Sequence, residues 1–138
     1  MRERIEGSYW ALRLVFGLVP IVAGLDKFTN LLTDWQKYLS PVAMRLLPVS
    51  PGTFMALVGI VEICVGIGVL AGYARLFGWV AAGWLLAIAV NLILAGAFDV
   101  AARDVALAIA AGVLAHLAPL HEGAVRRTAA GEVAHAHA

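Results

Sequence analysis

Residues 53–73 read TFMALVGIVEICVGIGVLAGY, and this stretch decides the architecture. It is long enough to cross a bilayer as a helix, which takes about 20 apolar residues. It holds one ionisable group, Glu62, near its middle. A charged side chain at that depth costs about 2.5–3.5 kcal/mol on insertion scales, so other segments must supply partners for it. Gly59, Glu62 and Gly66 fall at i, i+3 and i+7, on one helical face. Small residues on such a face let a second helix approach closely. The stretch therefore predicts an all-α integral membrane four-helix bundle closed around a polar interior.

The bulk composition agrees. The chain has 138 residues, of which 62% are hydrophobic, and its mean hydropathy is +0.89. Soluble domains run at about 45–50% apolar. At about 20 residues per span there is room for four helices and little else. The formal charge of +1 and the lack of a basic run give no footprint for nucleic acid. Cys64 is the single cysteine, which excludes an internal disulfide or a dithiol centre within this chain. Arg2 and Arg4 precede an apolar run, as in a signal peptide. Arg13 interrupts that run and no small-residue cleavage site follows, so an uncleaved first helix is expected.

Residues 1–8 form a charged leader and residues 9–25 the first span, opened by the interfacial pair Tyr9 and Trp10. Arg13, Gly17, Pro20, Gly24 and Lys27 recur on one face of it, opposite Leu, Val, Ile and Phe. Two roles are open for Arg13, snorkelling to the near interface or an interhelical contact. Residues 26–52 are too polar to span. Phe28, Leu31, Leu32, Trp35 and Leu39 fit one side of an amphipathic interfacial helix, with Lys27, Asn30, Asp34 and Lys37 on the other. Ser40-Pro41 and Ser50-Pro51 each read as an N-cap followed by the first helical residue. Trp35, Tyr38 and Leu39 are candidates for docking a protein partner, beside the plainer role of an interfacial anchor.

The remaining spans are residues 53–73, 76–98 and 105–120, separated by a tight turn at Ala74-Arg75 and a polar connection over 99–104. Gly83, Ala87, Asn91 and Ala95 make a small-residue stripe on the third span. Asp104, Ala108, Gly112 and His116 make one on the fourth. Residues 121–138 lack a core-forming pattern and are expected to be a frayed polar tail. His135-x-His137 is too bare a pair to count as a metal site, so none is expected. Arg2, Arg4, Arg75, Arg126 and Arg127 would share one side with both termini, against Lys27, Lys37, Arg45 and Arg103 on the other. That small excess favours cytoplasmic termini.

Counting about 1.5 Å per residue from the ends nearer residues 26–52, Glu62 lies about 14 Å deep, Asn91 about 11 Å and His116 about 18 Å. These three, with Arg13 in reach, are the candidate intramembrane polar layer. Asp26, Lys27, Asp99, Arg103 and Asp104 form a mixed-charge cluster at the mouth beside the excursion. Interhelical bonding explains both groups without further function. A proton relay or a quinone head-group site at Glu62 and His116 is the functional alternative.

The assembled residues resemble the DoxX family of small four-helix membrane proteins. Arg13, Gly17, Gly24, Lys27 and Phe28 are similar to its opening pattern. Gly59, Glu62, Gly66, Gly72 and Arg75 are similar to its second-helix pattern, and Arg103-Asp104 to its closing motif. The resemblance covers residues 9 to 120. It implies the fold, a bacterial inner (cytoplasmic) membrane setting, and a role beside redox or detoxifying enzymes. Some relatives are the membrane subunit of thiosulfate:quinone oxidoreductase, and a distant animal branch helps assemble ion-channel receptors. With no intrinsic cofactor motif in the chain, a redox role depends on a partner and on a quinone. Two functions are therefore carried forward: a quinone-facing accessory subunit of a membrane redox complex, or a non-catalytic scaffold for a partner protein or a second copy.

Overall fold

In the computed structural model, which describes residues 1–136, the chain forms four long helices and two short helical pieces. Helix α1 covers Arg2–Thr29, followed by a 3-10 turn at Trp35–Tyr38 and the short helix α2 at Pro41–Leu46. Helices α3 (Pro51–Leu70), α4 (Ala74–Leu94) and α5 (Phe98–Ala136) complete the chain. All four long helices are long and apolar enough to cross a membrane. The chain is an all-α integral membrane bundle.

The starts and stops follow the local sequence. Ser50 accepts from the Thr53 amide with Pro51 in the first turn, and Ser40 accepts from the Ala43 amide ahead of Pro41. Both serines act as the caps expected of them. α3 ends where Gly72 takes φ +107°, and α4 ends where Gly96 takes φ +78°. Tyr73 N then donates to Gly68 O and Ala97 N to Leu92 O, which closes each end as a Schellman motif. These two glycines make the three-residue turns that keep successive spans antiparallel.

Helices α1 and α3 pack antiparallel along the glycine faces read from the sequence. A methyl group added to Gly24 would sit 2.5 Å from the Gly59 carbonyl oxygen, and one on Gly59 2.6 Å from that of Gly24. One on Gly66 would collide with the Gly17 carbonyl. Helices α4 and α5 pair through small residues instead, with Gly78 against Ala111 and Ala115. The two pairs close on each other around Tyr9, Phe16, Val65, Val69, Ala81, Leu114 and Ala118. Leu14, Leu18, Ile60, Ile67, Leu76, Val90 and Ile109 point outward, where lipid takes the place of a core.

Several expectations are corrected. The leader and the 99–104 connection are helical, within α1 and α5. The excursion is not one amphipathic helix through Leu39. Asp26 accepts from the amides of Leu31 and Leu32 and from Trp35 Nε1, and Asn30 turns left-handed at φ 50°. That side chain competes with the helix and stops it. The stripe at Gly83 is not a packing face, since nothing lies within 4 Å of a Cβ built there. Residues 121–136 are helical rather than frayed, because alanine, glutamate and arginine there favour helix. His137, half of the weak histidine pair, lies outside the described residues.

At about 1.5 Å per residue, a helix of 39 residues is close to twice the roughly 30 Å of a bilayer core. The end of α5 therefore projects past the bundle. His121 stacks on Tyr9 at 4.3 Å between ring centroids, so α5 leaves on the side where α1 begins. The N-terminus and the described end of α5 are on the face opposite the excursion.

Candidate functional site

A cavity of about 600 Å³ lies between the two helix pairs, on the excursion side. Its wall is mostly apolar, with Phe16, Val19, Phe54, Val58, Ile88 and Leu107 among the lining residues from α1, α3, α4 and α5. Trp35, Tyr38 and Leu39 line it from the excursion. That volume falls in the range of small-molecule sites, which are likewise mostly apolar with a few placed polar groups.

The excursion is fastened over the cavity by two side chains. Asp26, itself buried, holds Trp35 Nε1 at 2.7 Å. Asn91 accepts from the Ser40 amide at 3.0 Å and donates to the Tyr38 carbonyl at 2.8 Å. Leu39 and Ser40 are buried beneath it. Trp35, Tyr38 and Leu39 thus line the cavity, Leu39 buried and Trp35 and Tyr38 half-buried. Asp26 holds Trp35 on the inner side, and the two bonds from Asn91 flank Leu39 and hold it there.

The charged part of the wall belongs to four residues. Lys27 donates to Glu62 at 2.6 Å, with the two side chains only 5% and 13% exposed. The Lys27 ammonium also lies 3.8 Å from the centre of the Trp35 ring. Asp104 and Arg103 line the same cavity from α5, Asp104 buried and Arg103 exposed. A buried ion pair adds little net stability, yet losing one partner strands the other charge at about 3–5 kcal/mol. Lys27 is thus the partner that lets Glu62 sit inside α3.

The four residues expected to form one layer are not brought together. Glu62 and Asn91 line the cavity, but Glu62 bonds Lys27 and Asn91 bonds the excursion. His116 is exposed, because α5 packs through Ala111, Leu114, Ala115 and Ala118. Arg13 is far from Glu62 along the bundle. Its Nε and Nη2 donate to the carbonyls of Val69 and Leu70, the last of α3, at 3.1 and 2.6 Å. It therefore takes the interhelical role. The mouth cluster also divides. Asp26 holds the excursion, Lys27, Arg103 and Asp104 line the cavity, and Asp99 is exposed.

The Lys27–Glu62 pair escaped the sequence reading, although its signal was present. Gly24-x2-Lys27 and Gly59-x2-Glu62 place each charge three residues past a contact glycine. Where those glycines touch, a long lysine side chain reaches the carboxylate.

The DoxX family model matches residues 9–98, about two thirds of the chain. The chain belongs to the DoxX family. The match includes Arg13, Lys27, Glu62 and Asn91 and stops short of Arg103-Asp104. No curated protein and no solved structure matches the chain significantly. Membership of the DoxX family agrees with four apolar helices, and the chain is an integral membrane protein.

Proposed function

We propose that this DoxX protein is an accessory subunit of a membrane redox complex that holds the head group of a lipophilic quinone in the cavity between its helix pairs. The observation that carries the reading is the cavity of about 600 Å³, apolar along most of its wall and charged where Lys27, Glu62, Arg103 and Asp104 meet it. Such a site accepts a flat, lipophilic body and orients its polar end. Lys27 and Glu62 set the polar end, Asn91 holds the excursion in place above it, and Trp35 and Tyr38 offer ring faces. Electrons would come from a partner protein. The setting we propose is a bacterial inner membrane with both termini cytoplasmic, on the arginine bias. In a Cys64→Ser background, cysteines at Lys37 and Thr128 should label from opposite sides, with Thr128 inside.

Gentle purification followed by solvent extraction and mass spectrometry tests the ligand. A quinone retained in stoichiometric amount, and lost in Lys27→Met, supports the reading. Ordinary membrane lipid alone in the extract contradicts it.

A scaffold role is the second reading, favoured by residues 120–136, where α5 runs past the bundle with Val125 and Val133 exposed. Deleting residues 124–138 should then release a co-purified protein without changing any bound quinone.

A further inference from the structure

We infer that Asp104 selects the cavity's ligand, and that it takes a neutral hydroxy-aromatic head group, the reduced hydroquinone in preference to the quinone. The inference rests on the quinone-site reading above and concerns which form the site prefers. Asp104 is 9% exposed and lines the cavity. Among the described residues its carboxylate makes no ion pair and accepts no hydrogen bond. A buried polar group without a partner is costly, and a ligand that brings the missing partner gains by it.

The other polar groups decide what that partner is. Lys27 already donates to Glu62, Trp35 Nε1 to Asp26 and the Asn91 amide to Tyr38. The hydrogen-bonding capacity left on the wall is of both kinds. The Asp104 carboxylate accepts, while Trp84 Nε1, buried without a partner among the described residues, and the remaining Lys27 N–H groups donate. The Tyr38 hydroxyl can serve either way, and Arg103 keeps its donors but is exposed. A quinone carbonyl only accepts, so it can take the Trp84 or Lys27 donors but has nothing to offer Asp104, whereas a hydroxyl can meet both kinds. A phenolic hydroxyl donates to a carboxylate in a short, charge-assisted bond.

Charge argues for a neutral donor over a cationic one. The ionisable residues lining the cavity are Lys27 and Arg103 against Glu62 and Asp104, two of each sign. An ammonium ligand would leave a net charge in a low-dielectric site, whereas a hydroxyl keeps the balance. The aromatic lining, Trp35, Tyr38, Trp84 and Phe16, suits a flat ring.

The test is calorimetric titration of the full-length protein in lipid nanodiscs with three decyl-tailed probes: a benzoquinone, its hydroquinone held reduced without oxygen, and decylamine. The hydroquinone should bind about ten-fold tighter than the quinone, as one charge-assisted bond allows. Asp104→Asn, whose amide both donates and accepts, should bring the two within about two-fold of each other. The wild-type comparison stands by itself if that variant fails to fold. Quinone binding equal to or tighter than hydroquinone overturns the inference and leaves the quinone site standing. Tightest binding by decylamine overturns the neutral-donor assignment. Failure of both quinone forms to bind removes the site, and this inference with it.

Discussion

Helix α1 presents two cations to α3, fourteen residues apart on one face, and they meet different chemistry. Arg13 closes on the Val69 and Leu70 carbonyls at the end of α3, and its guanidinium lies 4.7 Å from the centre of the Trp10 ring. Lys27 meets the Glu62 carboxylate at the wall of a cavity. The first arrangement supplies donors to carbonyls that a helix end leaves unpaired, and it complements the helix dipole. The second keeps two charges inside the bundle where an apolar pair would pack as well or better. A charge that completes a helix end is explained by the fold. A buried pair beside an apolar cavity is where the proposed ligand would find its polar partners.

The sharpest way to break this contrast is Lys27→Met. It leaves Glu62 buried without its partner and should lower stability by about 3–5 kcal/mol. The double variant Lys27→Met/Glu62→Leu should recover most of that loss, and thermal unfolding in detergent measures both. A single-variant loss no larger than that of Arg13→Met would erase the distinction. Next in size is Gly59→Ala, which presses a methyl group on the Gly24 carbonyl and should cost about 1–3 kcal/mol by overpacking. Gly83→Ala, with open space around its Cβ, should be neutral in the same assay. Arg13→Met removes two donors and should cost about 1–2 kcal/mol. Quinone retention in that variant should be unchanged, which separates the two cations by function. His116→Ala should change stability by less than about 0.5 kcal/mol, as at other outward-facing positions. A larger effect would return His116 to the bundle interior.

Periodicity and caps made the helices legible. The glycines at 17, 24, 59 and 66 marked the α1–α3 seam, and the serine–proline pairs marked two helix starts. The candidate site was legible only in part. Glu62, Lys27 and Asp104 stood out as charges in apolar sequence, but depth counting assigned Glu62 to Asn91 and His116. Depth orders residues along the membrane and is blind to rotation. One residue on a helix turns a side chain by about 100°, which is why His116 faces outward while Ala115 is buried. The excursion was misread for another reason. Its apolar spacing fits a helix, but the Asp26 carboxylate captures two amides and an indole, ending α1 at Thr29. No pattern of apolar residues reveals a side chain that competes for the backbone.

The central claim is that a quinone head group lies between the helix pairs, beneath Trp35 and Tyr38. Photolabelling the nanodisc-embedded protein with a short-tailed azidoquinone, then mapping the modified peptides by mass spectrometry, tests it most directly. Label should concentrate on the excursion and on the inner faces of α3 and α4, near Trp35, Tyr38, Phe54, Met55 and Ile88. An excess of the unmodified quinone should suppress it. Label confined to the outward residues Leu14, Ile67 and Ile109, and insensitive to competitor, would contradict the account.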